Sequence, residues 1–290
     1  MAVILVTGSN GQLGSELKEL STSRSQHQFH FLSKDDLDIS NRGAVADKIK
    51  MLKPNYCINC AAYTAVDKAE VETNLNYAIN AVGVENLATA CKEIGAHFIH
   101  ISTDYVFNGR GNKPYKEDDT TDPVNAYGAA KLKGELLALN ANSNTIIIRT
   151  SWVYSFYGAN FVKTMLRLMA SKPDISVVAD QIGSPTYAAD LAEAIMHIIN
   201  TNQWKEGIYH FSNDGTISWF DFAVEIKNVI YSNCIIHPII TEQYPTPAKR
   251  PAYSVMDKTK FQKTFNFPLK NWKDSLQKCL HQLKGTNASF

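Results

Sequence analysis

The sequence predicts an α/β fold, a doubly wound parallel sheet carrying a smaller, partly discontinuous α/β lobe. Three observations carry that reading. Short apolar runs alternate with stretches of helical period through residues 1–150. The first run, residues 3–6, is apolar throughout, as a strand covered on both faces must be. It leads directly into a glycine-rich turn that opens a helix, after which strands and helices keep taking turns.

In chain order, a helix is expected over 12–20, a short strand over 29–32 and a helix over 44–52 that ends at Lys53-Pro54. Residues 56–59 form the next strand. Residues 74–94 read as one long helix capped by Gly95. A strand over 97–101, a helix over 125–139 and a strand over 145–149 complete the first unit, residues 1–150. The remainder, 151–290, reads mainly as a second lobe, with part of 180–215 packing back on the first. Its helices are expected over 160–170, 188–200, 219–229 and 272–283, and its strands over 175–178 and 208–211.

Composition narrows the function. The 290 residues are 44% hydrophobic and 20% charged with a net charge of +1, so nothing favours capture of nucleic acid or an anionic membrane. A phosphate group must then be bound locally. The five cysteines are odd in number and scattered, which is unlike a disulfide framework. Cys57 and Cys60 lie three apart on and after a strand, so they point to opposite faces and are expected as reduced thiols. No apolar run reaches the roughly 20 residues of a membrane span, and the apolar start is too short for a signal peptide. A cytoplasmic setting is expected.

The turn Thr7-Gly8-Ser9-Asn10-Gly11-Gln12-Leu13-Gly14 sits at the first strand-to-helix junction. Glycine lets a diphosphate approach the backbone, and the helix amino terminus offers unpaired amides and partial positive charge. In this position the turn predicts a dinucleotide site. After the second strand, where an acidic residue would bind the adenosine ribose, stand Ser33 and Lys34, which suit a 2′-phosphate. Asp35 and Asp36 follow at once, so NADPH is favoured and NADH stays open. Asp38 and Ile39 are expected near the adenine, Asp38 having a turn cap as its alternative role.

The chemistry is predicted by Tyr127 and Lys131. Four residues apart on a helix, they share one face. A neighbouring ammonium favours phenolate and lowers the tyrosine pKa from about 10, suiting it to proton exchange. Ser102 and Thr103 come off the end of a buried strand, where ligands meet parallel sheets. A hydroxyl there can hold a substrate carbonyl oxygen.

Taken together these motifs resemble the extended short-chain dehydrogenases/reductases. The segments 59–70, 101–107, 149–154 and 180–186 are similar to those of the dTDP-4-dehydrorhamnose reductase family, over most of the chain. The resemblance implies a Rossmann-type cofactor domain and NADPH-dependent reduction of the C4 ketone of dTDP-6-deoxy-L-lyxo-4-hexulose to dTDP-L-rhamnose. It implies Tyr127 as proton donor, Lys131 on the nicotinamide ribose and Thr103 on the carbonyl oxygen, with Ser102 able to share that role. Gly8, Asn10, Gly11, Gln12, Leu13, Gly14, Ala61, Ala62 and Thr64 would join the cofactor residues above. Thr64, Val66, Asp104, Tyr105 and Trp152 would meet the sugar, and Arg250 the diphosphate; for Trp152 packing between lobes is an equal alternative. Some relatives hold a magnesium ion at a subunit interface, and Glu16 and Asp190 lie in the corresponding segments. The expected carboxylate spacing is absent, so no catalytic metal is expected. The oligomeric state is open, a homodimer being compatible. Two other readings stand: a reductase or epimerase of another nucleotide-linked 4-keto-sugar, and a non-catalytic binding subunit like that of methionine adenosyltransferase. The intact glycine turn and the Thr103, Tyr127, Lys131 set favour an active enzyme over the latter.

Overall fold

A computed structural model describes residues 1–23 and 26–285. The chain runs through β1 (Val3–Thr7), α1 (Gln12–Ser21), β2 (Gln28–Leu32), α2 (Arg42–Leu52) and β3 (Tyr56–Asn59). Short helices α3 (Val66–Ala69) and α4 (Thr73–Tyr77) lead through a π-helical turn (Ala78–Val82) into α5 (Gly83–Ile94). β4 (His97–Thr103), α6 (Ala126–Ala141) and β5 (Thr145–Thr150) follow. Next come β6 (Val153–Tyr154), α7 (Phe161–Ser171), β7 (Asp174–Val178), β8 (Ile182–Gly183), β9 (Thr186–Tyr187) and α8 (Ala188–Thr201). The chain ends with β10 (Gly207–His210), β11 (Ile217–Ser218), α9 (Trp219–Ile230), β12 (Ile235–Ile239), α10 (Thr259–Phe265) and α11 (Trp272–Gly285).

Six strands pair in the order β10-β5-β4-β3-β1-β2, all parallel. The chain winds outward from β1 to β2 and then returns to β3 on the other side of β1. Above that reversal the loops diverge and leave a crevice at the carboxyl ends of the strands. One sheet face packs Ile4, Val6, Ile58 and Ile148 against Leu17 of α1 and Leu191 and Ile195 of α8. The other packs Leu5, Cys57 and Phe98 against Ile49 of α2, Leu87 of α5 and Ala138 of α6. Strand β10 and helix α8 therefore belong physically to this sheet. A separate core of Tyr154, Leu166, Phe222 and Leu280 holds the second lobe, which carries three two-stranded pairings. Cys57 and Cys60 join opposite faces of the sheet, and the cysteines are free thiols.

Several elements were not expected, among them α3, α10 and the two-residue strands β6, β8, β9 and β11, and two departures have plain physical reasons. The helix expected over 74–94 is interrupted by the π-helical turn, which carries buried Asn80, while buried Asn76 lies just before it in α4. Asn80 accepts from the Tyr63 amide at 3.0 Å and donates to the Tyr63 carbonyl at 2.9 Å, so it clasps the loop after β3. Asn76 donates to the Ala126 carbonyl at 2.9 Å and ties the same segment to the start of α6. Strand β12 was not expected, because Pro238 interrupts its apolar run. Among the described residues it pairs with β7 alone, and an edge strand tolerates a proline.

Behind the sheet ends lies one buried ion pair. Arg149 of β5 meets Glu135 of α6 at 2.7 Å, with side-chain exposures of 3% and 1%. Ser102 donates to the same carboxylate at 2.5 Å. Removing one partner strands a charge, whereas replacing both with apolar groups does not. We therefore expect Arg149→Met to lower stability by about 3–5 kcal/mol, and Glu135→Leu/Arg149→Met together to cost much less. Urea unfolding of both variants checks this; equal losses would contradict it.

Candidate functional site

A cleft of about 220 Å³ opens where β1 and β3 diverge, lined by Gly8, Asn10, Gly11, Lys34, Asp38, Ile39, Ala61 and Ala62 among others. The fold shapes it at the backbone level. Gly8 has φ +66°, and a Cβ there would lie 2.5 Å from the Ala61 amide nitrogen. Only glycine lets the two loops approach so closely. Gly11 precedes helix α1 and gives it no side-chain cap, whereas Asn41, Asn125, Asn160 and Ser218 cap the helices they precede. Its first amides and partial positive charge are left facing the cleft, an arrangement that fits a diphosphate.

The remaining cofactor-side residues divide. Exposed Lys34 is on the cleft, but Ser33 is not: its amide and hydroxyl both donate to Asp36, at 2.8 and 2.7 Å. Asp38 lines the cleft and also caps a turn by accepting from Ser40. Leu13 is a core residue under α1, and Gly14 backs onto the carbonyl of Gly8. Gln12 reaches the second lobe instead, donating to the Val153 carbonyl and accepting from Asn160 at 3.0 Å.

Beside this cleft stand the proton-handling groups. Asn125 caps α6 by accepting from the Gly128 amide at 2.7 Å. A Cβ on Gly128 would lie 2.2 Å from the Tyr105 carbonyl, so the helix start is pressed against the turn 104–106. That contact places Tyr127 edge-on to Tyr105, at 5.8 Å and 79°. Burial raises the Tyr127 pKa, outweighing the lowering influence of the Thr103 hydroxyl, and the Asp104 carboxylate raises it further. The lowering expected from Lys131 does not operate here: desolvation dominates at the phenol, and burial pushes Lys131 itself, 1% exposed, down to about 7. Thr103 donates to Asp104 at 3.0 Å and accepts from the Tyr105 amide at 3.2 Å. Ser102 is committed elsewhere, its hydroxyl donating to Glu135 further along α6.

On the outer side, Thr64 is exposed and Val66 half-buried at the start of α3. Arg250 is not free for a diphosphate here. Both its terminal nitrogens bind Asp67, at 2.8 and 2.9 Å, closing a latch between α3 and the segment 246–251. Trp152, at φ +48°, gives a ring face to Trp219 at 3.6 Å and crowds Gly183. Its role here is packing within the second lobe. Glu16 accepts from Ser155 at 2.6 Å, and Asp190 binds Lys270, Asn213 and Ser275. Among the described residues no group of three or more His, Cys, Asp or Glu could hold a metal ion.

Sequence reasoning missed Leu37, Cys60 and Ile79 in the cleft lining. It also missed His100 and Asn59, which lie directly behind Lys131. Strand register was the signal: Thr7, Asn59 and His100 are successive partners across β1, β3 and β4.

Comparison with known proteins agrees with this geometry. The family model described as RmlD substrate binding domain matches residues 1–284. A dTDP-4-dehydrorhamnose reductase of Aggregatibacter actinomycetemcomitans is 42% identical, covering 96% of this chain and 98% of that one. The structure of a dTDP-4-dehydrorhamnose reductase from Clostridium acetobutylicum superposes with TM-score 0.93 at 41% identity, covering 97% of this chain and 99% of that one. A dTDP-4-dehydrorhamnose reductase from Bacillus anthracis, solved in complex with NADP, does so with TM-score 0.93 at 40% identity, over the same 97% and 99%.

Asp104 offers a test of the site's electrostatics. It is 2% exposed, and burial outweighs the Ser254 and Thr103 hydroxyls, raising its pKa from 3.8 to about 6. The folded state thus binds its proton more tightly than the unfolded chain, and stability is lost as pH rises through that interval. Asp104→Asn, which keeps an oxygen for Thr103, is expected to gain about 1–3 kcal/mol at pH 8 and almost nothing at pH 4. Urea unfolding at the two pH values decides it; a gain independent of pH would contradict the assignment.

Proposed function

We propose, because the chain belongs to the RmlD substrate binding domain family and its relatives are dTDP-4-dehydrorhamnose reductases, that it reduces dTDP-4-dehydro-6-deoxy-L-mannose to dTDP-L-rhamnose with NADPH. One observation carries the reading. Tyr127 stands near enough to Thr103 for its hydroxyl to act on the phenol, one helical turn from buried Lys131, beside a glycine-shaped cleft with an uncapped helix start.

Bound NADPH supplies the hydride. The chain's own residues supply the rest. The amides at the start of α1 hold the diphosphate, and exposed Lys34 supplies the charge for a 2′-phosphate. Neutral Tyr127 gives its proton to the C4 oxygen as negative charge develops there. A phenol held undissociated by burial is in the right form to donate. Thr103 spends its one hydroxyl hydrogen on Asp104 in the free protein. To hold the ketone oxygen it redirects that hydrogen, and Asp104 then loses a donor. Lys131 follows Tyr127 by one turn of α6 and lies close to Cys60, a residue of the cleft lining. The sugar and its diphosphate are received between α3, Tyr105 and the latch formed by Asp67 and Arg250. Arg250 must exchange Asp67 for phosphate if it is to bind the nucleotide. Free thiols at Cys57, Cys60, Cys91, Cys234 and Cys279 support a reducing, cytoplasmic setting.

Steady-state reduction of dTDP-4-dehydro-6-deoxy-L-mannose, followed by NADPH oxidation and product identification, tests this. Tyr127→Phe is expected to lower kcat by about 10²–10⁴-fold with NADPH affinity changed less than about twofold. Near-normal turnover would reject the proton-donor role. Lys34→Ala is expected to weaken NADPH binding by about tenfold and NADH binding far less, read by fluorescence titration. Equal losses would remove Lys34 from the 2′-phosphate site.

A further inference from the structure

The Nζ of Lys131 touches two groups of β4. It donates to the Ile101 carbonyl at 2.5 Å, and it lies 3.1 Å from His100 Nε2. The other ring nitrogen, His100 Nδ1, is 3.0 Å from Asn59 Nδ2. Which way each proton points follows from one backbone amide. The Ala61 N–H can only donate, and it meets Asn59 Oδ1 at 3.1 Å; the Thr7 hydroxyl donates to the same oxygen at 2.7 Å. Asn59 therefore turns its NH₂ to His100, and Nδ1 must accept. Asn59 and His100 are fully buried, and burial with the nearby Lys131 pushes the His100 pKa well below its ordinary value, so the ring is neutral. Its single proton then sits on Nε2, facing Lys131.

An ammonium there would set N–H against N–H at 3.1 Å, for it has no lone pair. A neutral amine accepts from Nε2 and still donates to Ile101. We propose that His100 is a positioning residue that holds Lys131 as a neutral amine in the cofactor-free protein, and that Lys131 takes up one proton from solvent as NADPH binds. The proton adds to the Nζ lone pair; Lys131 then turns from His100 toward the cofactor. No other group around Nζ replaces this control. Glu135 on α6 favours the charged form but is committed to Arg149 and Ser102. The Cys60 thiol is held protonated by burial, as is the Tyr127 phenol. The fall of the Lys131 pKa to about 7 agrees with the geometry. The uptake step rests on the cofactor reading above; the His100 tautomer does not.

The test has two parts, both on the full chain. ¹⁵N NMR of histidine-labelled protein without cofactor is expected to show His100 as the Nε2–H tautomer. The Nδ1–H tautomer or a doubly protonated ring would overturn the proposal. Calorimetric titration with NADPH at about pH 8, in two buffers of different ionisation enthalpy, is expected to show about one proton taken up per NADPH. His100→Gln can offer Lys131 a carbonyl, so uptake should fall to near zero. Binding without proton uptake in the native chain, or unchanged uptake in a folded His100→Gln, would overturn the proposal. An absence of NADPH binding would instead count against the proposed function, and the tautomer would still decide this inference.

Discussion

One helix face pressed against the carboxyl end of a parallel sheet is the constraint on which the rest depends. Tyr127, Lys131 and Glu135 follow one another at helical spacing on α6, and each is matched to β4 or β5. Tyr127 meets Thr103, Lys131 meets His100 and the Ile101 carbonyl, and Glu135 meets Ser102 and Arg149. Burying so many polar groups is costly unless each has a partner. Because they do, the helix has one axial position. Gly128 against the Tyr105 carbonyl fixes its approach.

That arrangement sets charge as well as position. A dry pocket disfavours both phenolate and ammonium, so the free protein holds Tyr127 protonated and Lys131 near neutrality. The pair is poised rather than already ionised. Bringing phosphates and ribose hydroxyls to the cleft restores the reason for Lys131 to be charged. The cleft is built to receive them through backbone amides, which is how a chain of net charge +1 can hold a polyanion.

The first half was legible because strands buried on both faces carry continuous apolar runs, and because the glycine turn sits where β1 becomes α1. Order and spacing put Tyr127 and Lys131 on one helix face and Thr103 at a strand end, and the fold brings the three elements that carry them together. What escaped depends on partners distant in sequence. Arg250 finds Asp67 across 183 positions, and Asp67 lies in α3, a helix of four residues too short to show a period. Ser33 reads as a phosphate ligand in the sequence, and in the free protein its amide and hydroxyl are given to Asp36. Trp152 found a second indole at Trp219. His100 read as one more residue of a buried strand, since only the register of β1, β3 and β4 aligns it with Thr7 and Asn59. The direction of the Tyr127 shift was misjudged because spacing reports a neighbouring charge and says nothing of desolvation.

The most direct measurement is the titration of Tyr127 itself, followed by NMR of ¹³Cζ-labelled tyrosine with and without NADP⁺. The Tyr127 resonance, assigned by its loss in Tyr127→Phe, should not titrate below about pH 10 in the free protein and should titrate at a lower pH in the complex. One midpoint, unchanged by the cofactor, would contradict a phenol kept protonated by burial and released by the charge brought beside it.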